Sequence, residues 1–389
     1  MIRKDNLKQT IRWGMVGGGR GSQIGGSHRD AAKRDSNFKL LAGAFDIDAE
    51  RGRAYGVEEL GLDADRCYAD YKEMFTKEAA REDGIQAVSI ATPNSTHFTI
   101  SKCALEHGLH VICEKPLTFT SAESEELKEI ALKHNRVFGV MYGYTGYPTI
   151  SQAREMVARG DLGKVRIVHM QFAHGFHAEE VEKNDPGLQW RVTKAASGLS
   201  YVLGDIGTHC LQMGHLISGM EMESLSCMKK SFVESRELED DAHVMIKYKN
   251  GAVGTLWCSA VAVGNLHNFK VEIIGEKGTI RWWDEHPNQI EYAPLGEPFR
   301  KLDRGMGYLY DSARHERVGG GHPEGYFDSW ANLYRNFSHA MVAADNDQQS
   351  ELTDIWFPGL DDGIEGVRFI ERCVESAENN SQWVSYEQA

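Results

Sequence analysis

No stretch of about eighteen apolar residues occurs anywhere in the chain, so no membrane-spanning helix is expected. The first ten residues, MIRKDNLKQT, lack an apolar h-region and a small-residue cleavage site, so no secretory signal is expected either. Basic charge is in deficit. Lys and Arg number 43 against 57 Asp and Glu, a formal net charge of −14, which repels phosphate backbones and argues against nucleic acid as a partner. The seven cysteines are odd in number, scattered, and never spaced C-x-x-C. They read as thiols kept reduced in the cytoplasm, not as a disulfide framework. Internal repeats, low-complexity segments and a G-x-S-x-G nucleophile elbow are also missing. What remains is an ordinary globular composition, 41% hydrophobic and 26% charged, over 389 residues. That length suits two domains with full cores.

The first 146 residues alternate short apolar runs with helix-like segments. The runs are residues 12–16, 38–45, 87–92, 109–113 and 137–142, and helices are expected near 99–107 and 122–134. Apolar, β-rich runs between helices are the mark of parallel strands covered on both faces. A doubly wound α/β domain is therefore expected over residues 1–146. Residues 147–389 have a different texture. A helix near 149–159 ends at Gly160, and 165–174 alternates as a strand. Val244, Ile246 and Tyr248 alternate with their neighbours, Asn250-Gly251 supplies a type I′ hairpin turn, and Val253, Thr255 and Trp257 continue the alternation. Residues 269–275 and 278–283 form a second hairpin. An α+β domain with a large open, mostly antiparallel sheet is expected here. Helical texture returns near 327–343 and 363–377, which leaves the last helices open to packing back on the first domain.

The first strand runs into Gly17-Gly18-Gly19-Arg20-Gly21-Ser22-Gln23-Ile24-Gly25. Gly17 and Gly19 fit the first two positions of G-x-G-x-x-G, and Ser22 stands at the third. Such a turn lets a diphosphate approach the backbone and the positive end of the following helix. The second strand ends at Asp46, 29 residues after Gly17. A carboxylate there can accept the hydroxyls of an adenosine ribose and repel a 2′-phosphate, favouring NAD over NADP.

Two further segments carry chemistry. Glu114-Lys115-Pro116 follows the fourth strand, at the sheet end where open α/β sheets bind ligands. In Gly204-Asp205-Ile206-Gly207-Thr208-His209, the Asp and the His are i and i+4 and share one face of a helix. A histidine can accept a proton at neutral pH. His174 and His177, three apart, have no third ligand at matching spacing, so they read as pocket-lining or structural and no metal is expected. Gly319-Gly320-Gly321 follows no apolar strand and reads as a loop.

Taken in order, the glycine turn, Asp46, Ala91-Thr92-Pro93-Asn94, Glu114-Lys115-Pro116 and the Asp-x-x-x-His segment resemble the glucose–fructose oxidoreductase / inositol dehydrogenase / MocA family. The resemblance covers nearly the whole chain. It implies an N-terminal Rossmann domain, a C-terminal α/β domain with an open sheet, and NAD(P)-dependent redox chemistry at a secondary alcohol of a sugar or cyclitol. It places Lys115, Asp205 and His209 in the catalytic positions. The cofactor contacts it implies are Gly17, Gly19, Ser22, Asp46, Thr92, Pro93, Asn94, Glu114 and Lys115. Trp190-Arg191 resembles a substrate-side motif of sugar-active relatives: Trp offers an apolar face to a ring and Arg offers donors to hydroxyls. The chain departs from the family after the last parallel strand, where many members have Asn or Arg and this one has Tyr142-Gly143-Tyr144-Thr145-Gly146-Tyr147-Pro148. Tyr144 is expected near the nicotinamide end and the substrate.

The expected activity is hydride transfer between NAD and a small polyol or sugar. His209 would act as base, Lys115 would donate to the alcohol oxygen, and Asp205 would hold a neighbouring hydroxyl or orient His209. Two other activities of related proteins are an NAD-recycling glycosidase and a non-catalytic dinucleotide sensor; the presence of Lys115, Asp205 and His209 together argues for chemistry. Of Trp257, Trp282 and Trp283, at least one ring must point away from the helices, because adjacent strand residues face opposite sides. A large exposed apolar face is then expected, covered by a second copy in a homodimer or homotetramer.

Overall fold

The computed structural model describes residue 7, residues 9–348 and residues 355–387. It divides into two compact units. One is built from the described residues up to Gly143 together with those of Tyr326–Ile364, the other from Tyr144–Gly325 together with the described residues from Glu365 on.

The first unit is a five-stranded, all-parallel sheet. Its strands are β1 (Ile11–Gly17), β2 (Phe38–Ala44), β3 (Ala87–Ala91), β4 (His110–Cys113) and β5 (Phe138–Val140), in the order β2-β1-β3-β4-β5. The order reverses between β1 and β3, so the loops after these two strands diverge and leave a crevice at their carboxyl ends. Several of the helices that cross between strands start on side-chain caps. Ser22 accepts from the Gly25 N–H, Asp48 from the Glu50 and Arg51 N–H groups, and Thr120 forms a reciprocal capping box with Glu123; such caps contribute about 1 kcal/mol each. Helix Tyr326–Asp345 closes the unit. Its Tyr334 and Phe337 enter the same core as Trp13, Phe38 and Ile112.

The second unit is built on a nine-stranded sheet. Its strands are β6 (Val165–Ala173), β7 (Met222–Lys230), β8 (Asp241–Tyr248), β9 (Val253–Ser259), β10 (Lys270–Gly275), β11 (Gly278–Trp283), β12 (Gln289–Pro294), β13 (Arg300–Asp303) and β14 (Val384–Ser385). The order is β13-β12-β11-β10-β6-β9-β8-β7-β14, and every pairing is antiparallel except β6 with β9. Val168, Met170, Phe172, Leu256, Ile273 and Trp282 form the buried face, against which helices Pro148–Ala158 and Thr208–Ser218 pack. The other parity, including His169, Gln171, Thr255, Trp257, Lys270 and Trp283, faces away.

The turn between β8 and β9 differs from the expected type I′. Only Gly251 of the Asn-Gly pair takes a positive φ, +86°, whereas type I′ needs both. The Asn250 side chain instead accepts from the Ala252 N–H at 2.9 Å, and the Gly251 N–H bonds back to the Tyr248 carbonyl at 2.9 Å. The result is a turn closed by one left-handed glycine.

Candidate active site

In the first unit the cofactor-side residues gather at the carboxyl end of the sheet. Gly17 has φ +74°, and a Cβ there would stand 2.4 Å from the Ala91 carbonyl oxygen. A Cβ on Gly25 would stand 2.4 Å from the Gly18 Cα. Gly25 therefore supplies the close approach of helix to turn that the third glycine of the motif ordinarily gives. That frees Ser22 to cap the helix, its Oγ accepting from the Gly25 N–H at 3.1 Å. Gly19 lies between them, against the Phe45 carbonyl.

Asp46, just beyond β2, is not a bare carboxylate. Arg51 donates to both of its oxygens, Nη2 to Oδ1 at 2.6 Å and Nε to Oδ2 at 2.7 Å, and the Asp48 N–H adds a third bond at 3.0 Å. The Arg51 guanidinium holds the Asp46 carboxyl below its ordinary range. Sequence reading missed this partner, although its place five residues on, in the first turn of the next helix, was a usable signal.

Thr92, Pro93 and Asn94 form the loop after β3. His97 lies wholly inside the unit and bridges this loop to the next, one ring nitrogen 2.9 Å from the Thr92 carbonyl and the other 2.9 Å from that of Pro116. Glu114 and Lys115 follow β4. Glu114 Oε1 is 3.2 Å from Nε2 of the fully buried His28. The His28 Nδ1 in turn is 2.6 Å from the Tyr334 hydroxyl, which meets Ser89 Oγ at 2.8 Å. Lys115 is half-buried, and its backbone N–H bonds to the Glu114 carboxylate at 3.3 Å. Two buried histidines thus fix the frame of the Glu-Lys-Pro segment, and neither figured among the expected site residues.

In the second unit Asp205 and His209 lie on consecutive turns, but the first of these is not α-helical. Leu203–Gly207 is a π-turn, with the Thr208 N–H bonded to the Leu203 carbonyl, and it leads into helix Thr208–Ser218. Widened turns of this kind concentrate at functional sites. Glu239 seats the turn. This buried carboxylate accepts from the Ser200 hydroxyl and from the Tyr201 and Leu203 N–H groups, and burial raises its pKa.

Asp205 Oδ1 is 2.8 Å from Arg191 Nη1, and the Arg191 guanidinium lies 4.8 Å from the Trp190 ring. The fold thus joins Trp190, Arg191 and Asp205 into one group. His209 packs edge-on to Tyr144 at 5.0 Å, beside Phe172 and Phe269. His174 stands close by, only 7% exposed, with no hydrogen-bond partner for its Nδ1 among the described residues. Burial pushes it down to about 4, with Asp205 pulling it partly back. His177 bonds to the Tyr201 hydroxyl. Among the described residues no group of three or more His, Cys, Asp or Glu side chains is placed to hold a metal ion.

The arrangement suits a dinucleotide: a turn that side chains would fill, a helix start above it, and a carboxylate at the end of the second strand. The Asp205–Arg191 pair over an aromatic face, next to histidines, suits a hydroxylated ring.

Comparison with known proteins agrees. Residues 11–142 match the family model described as oxidoreductase family, NAD-binding Rossmann fold. Residues 154–386 match that family's C-terminal alpha/beta domain. An uncharacterized oxidoreductase, YfiI, of Bacillus subtilis (strain 168) is 49% identical, over 98% of this chain and 98% of its own. A crystal structure of an inositol dehydrogenase homolog from Azotobacter vinelandii complexed with NAD+ is 52% identical, with TM-score 0.97 over 99% of this chain and 100% of that one. A second structure of an inositol dehydrogenase homolog from that organism, complexed with NADH and myo-inositol, is 52% identical, with TM-score 0.93 over 98% and 99%. The chain belongs to the glucose–fructose oxidoreductase / inositol dehydrogenase / MocA family and is an NAD-binding oxidoreductase.

Proposed function

We propose that this dehydrogenase oxidises a secondary alcohol of a cyclitol or a sugar ring, with a myo-inositol-like polyol as the first substrate to try. The observation that carries the reading is the Asp205–Arg191 pair over Trp190, one helical turn from His209. It offers a carboxylate acceptor, a guanidinium donor and an apolar face, which is the pattern of a hydroxylated ring. The relative that is 52% identical and was crystallised with NADH and myo-inositol supports the same class.

NAD supplies the hydride acceptor. The chain's own residues handle the proton and the alignment. His209 accepts the hydroxyl proton as the alcohol carbon is oxidised. Lys115 donates to the alcohol oxygen and stabilises its developing negative charge. Asp205, oriented by Arg191, holds a neighbouring hydroxyl so that the reacting C–H is presented in one pose. Tyr144 braces the His209 ring. Gly17, Gly19, Ser22, Thr92, Pro93, Asn94 and Glu114 shape the cofactor's seat, and Asp46 takes the adenosine ribose.

The test is a panel of inositols and sugars with NAD, followed by NADH absorbance. Stoichiometric NADH with one polyol upholds the reading. Release of an aglycone without net NADH would replace it with the glycosidase, and no turnover with retained NAD binding would favour the sensor.

We further propose that the outer face of the nine-stranded sheet binds a second copy of the chain. The face is more polar than expected, because His169, Gln171, Lys270, Glu272 and Arg281 surround Trp257 and Trp283 in a concavity of about 720 Å³. Trp282 points the other way and is buried, so Trp283 is the outward ring of that pair. A mixed face of this kind fits pairing through aromatic anchors and complementary charges.

A further inference from the structure

Four arginines among the described residues are buried. Arg66 is paired with Glu78 and Asp83, Arg236 with Glu182 and Asp240, and Arg304 with Glu324. Arg29, 8% exposed on helix Gln23–Arg34, has no carboxylate partner among the described residues. Its Nη1 donates to the Gly18 carbonyl at 2.7 Å and lies 3.5 Å from Met15 Sδ, and its guanidinium carbon stands 5.5 Å from the centre of the Tyr55 ring. A guanidinium withdrawn from water without a counter-ion is costly to keep, so its position calls for an anion that the polypeptide does not supply.

That position is beneath the glycine turn. Gly18 is held from both sides, its N–H by the Ala91 carbonyl at 3.1 Å and its C=O by Arg29. The turn therefore rests on a fixed positive charge, and this charge adds to the helix start above it. We propose that Arg29 is the buried counter-charge for the diphosphate of the bound dinucleotide, acting from below the turn through the peptide it holds. The dinucleotide motif itself does not include this residue; it belongs to the helix that follows. The proposal is independent of which alcohol the enzyme oxidises.

Binding, not turnover, tests it. The full-length protein is titrated with ADP-ribose, which carries the diphosphate, and with adenosine, which does not, by calorimetry. Arg29→Gln removes the charge and keeps a polar amide on a shorter side chain. ADP-ribose affinity should fall about tenfold or more while adenosine binding is unchanged. Arg29→Lys keeps the charge and should hold ADP-ribose within about threefold of wild type. Unaltered ADP-ribose binding by Arg29→Gln overturns the proposal, and so does an equal loss for adenosine, which would make Arg29 only a brace for the turn. Should Arg29→Gln not fold, Arg29→Lys decides: retained ADP-ribose binding upholds the charge, and a tenfold loss overturns it.

Discussion

In the first unit the chemistry is prepared by backbone. A glycine whose φ is +74°, a helix that touches the turn through Gly25, and loops held by His97 through their carbonyls make a seat in which few side chains take part. In the second unit it is prepared by side chains: Asp205 on Arg191, Arg191 on Trp190, His209 on Tyr144, and Glu239 under the turn that carries Asp205. A backbone seat tolerates exchange of its neighbours but not of its glycines. A side-chain site can change its ligand by exchanging one residue. Under the proposed function, one chain thus joins a backbone seat for the dinucleotide to a side-chain site for the polyol.

The comparison can be broken most sharply at the reacting groups. Lys115→Ala and His209→Ala should each lower turnover by about 10²–10⁴-fold while an NAD titration stays near wild type. Near-wild-type turnover in both would remove the proposed roles. Next comes the outer sheet face, where Trp283→Glu should convert the proposed oligomer to a 43.6 kDa species in sedimentation. A wild-type protein that already sediments at that mass would overturn the interface.

Acid should weaken the second unit through His174. Burial holds it at about 4 against an ordinary 6.5. Its neutral form is therefore the folded form, and its contribution is full above pH 6.5 and is lost as pH falls toward 4. The loss amounts to about 3 kcal/mol. Urea unfolding of wild type and His174→Phe at pH 7.5 and pH 5 checks the sign: the substitution should flatten the acid side of the profile. A smaller effect is expected from Glu239→Ala, which strands a hydroxyl and two backbone N–H groups and should cost about 2 kcal/mol. The smallest is at Asp46. Asp46→Ala should weaken NAD and narrow its advantage over NADP by about tenfold, because the released Arg51 can meet a 2′-phosphate. An unchanged ratio of dissociation constants would refute the role of Asp46.

Much of the first unit was legible. Its five strands follow from apolar runs that end at glycine, proline or an acid. The second sheet's parity was legible from alternation in β8. The Asn250-Gly251 turn departs from type I′ because the Asn250 side chain accepts from the Ala252 N–H and only Gly251 takes a positive φ. The open face is more polar than expected because Lys270, Glu272 and Arg281 lie beside Trp257 and Trp283.

The sequence alone determined where chain direction and backbone shape are set locally: the glycine turn, the strand and helix identities, the Asp-x-x-x-His spacing and the family. The tertiary structure decided every pairing between distant residues. Asp205 meets Arg191 14 residues away, His28 meets Tyr334 306 residues away, and Arg29 reaches under a turn with no acid to neutralise it among the described residues. The π-turn beneath Asp205 belongs to this class as well, since Glu239, 36 residues beyond Leu203, holds its start. Such contacts leave no periodicity, because each depends on burial of a whole face and on which side of a sheet a helix covers, and neither is a property of neighbouring residues.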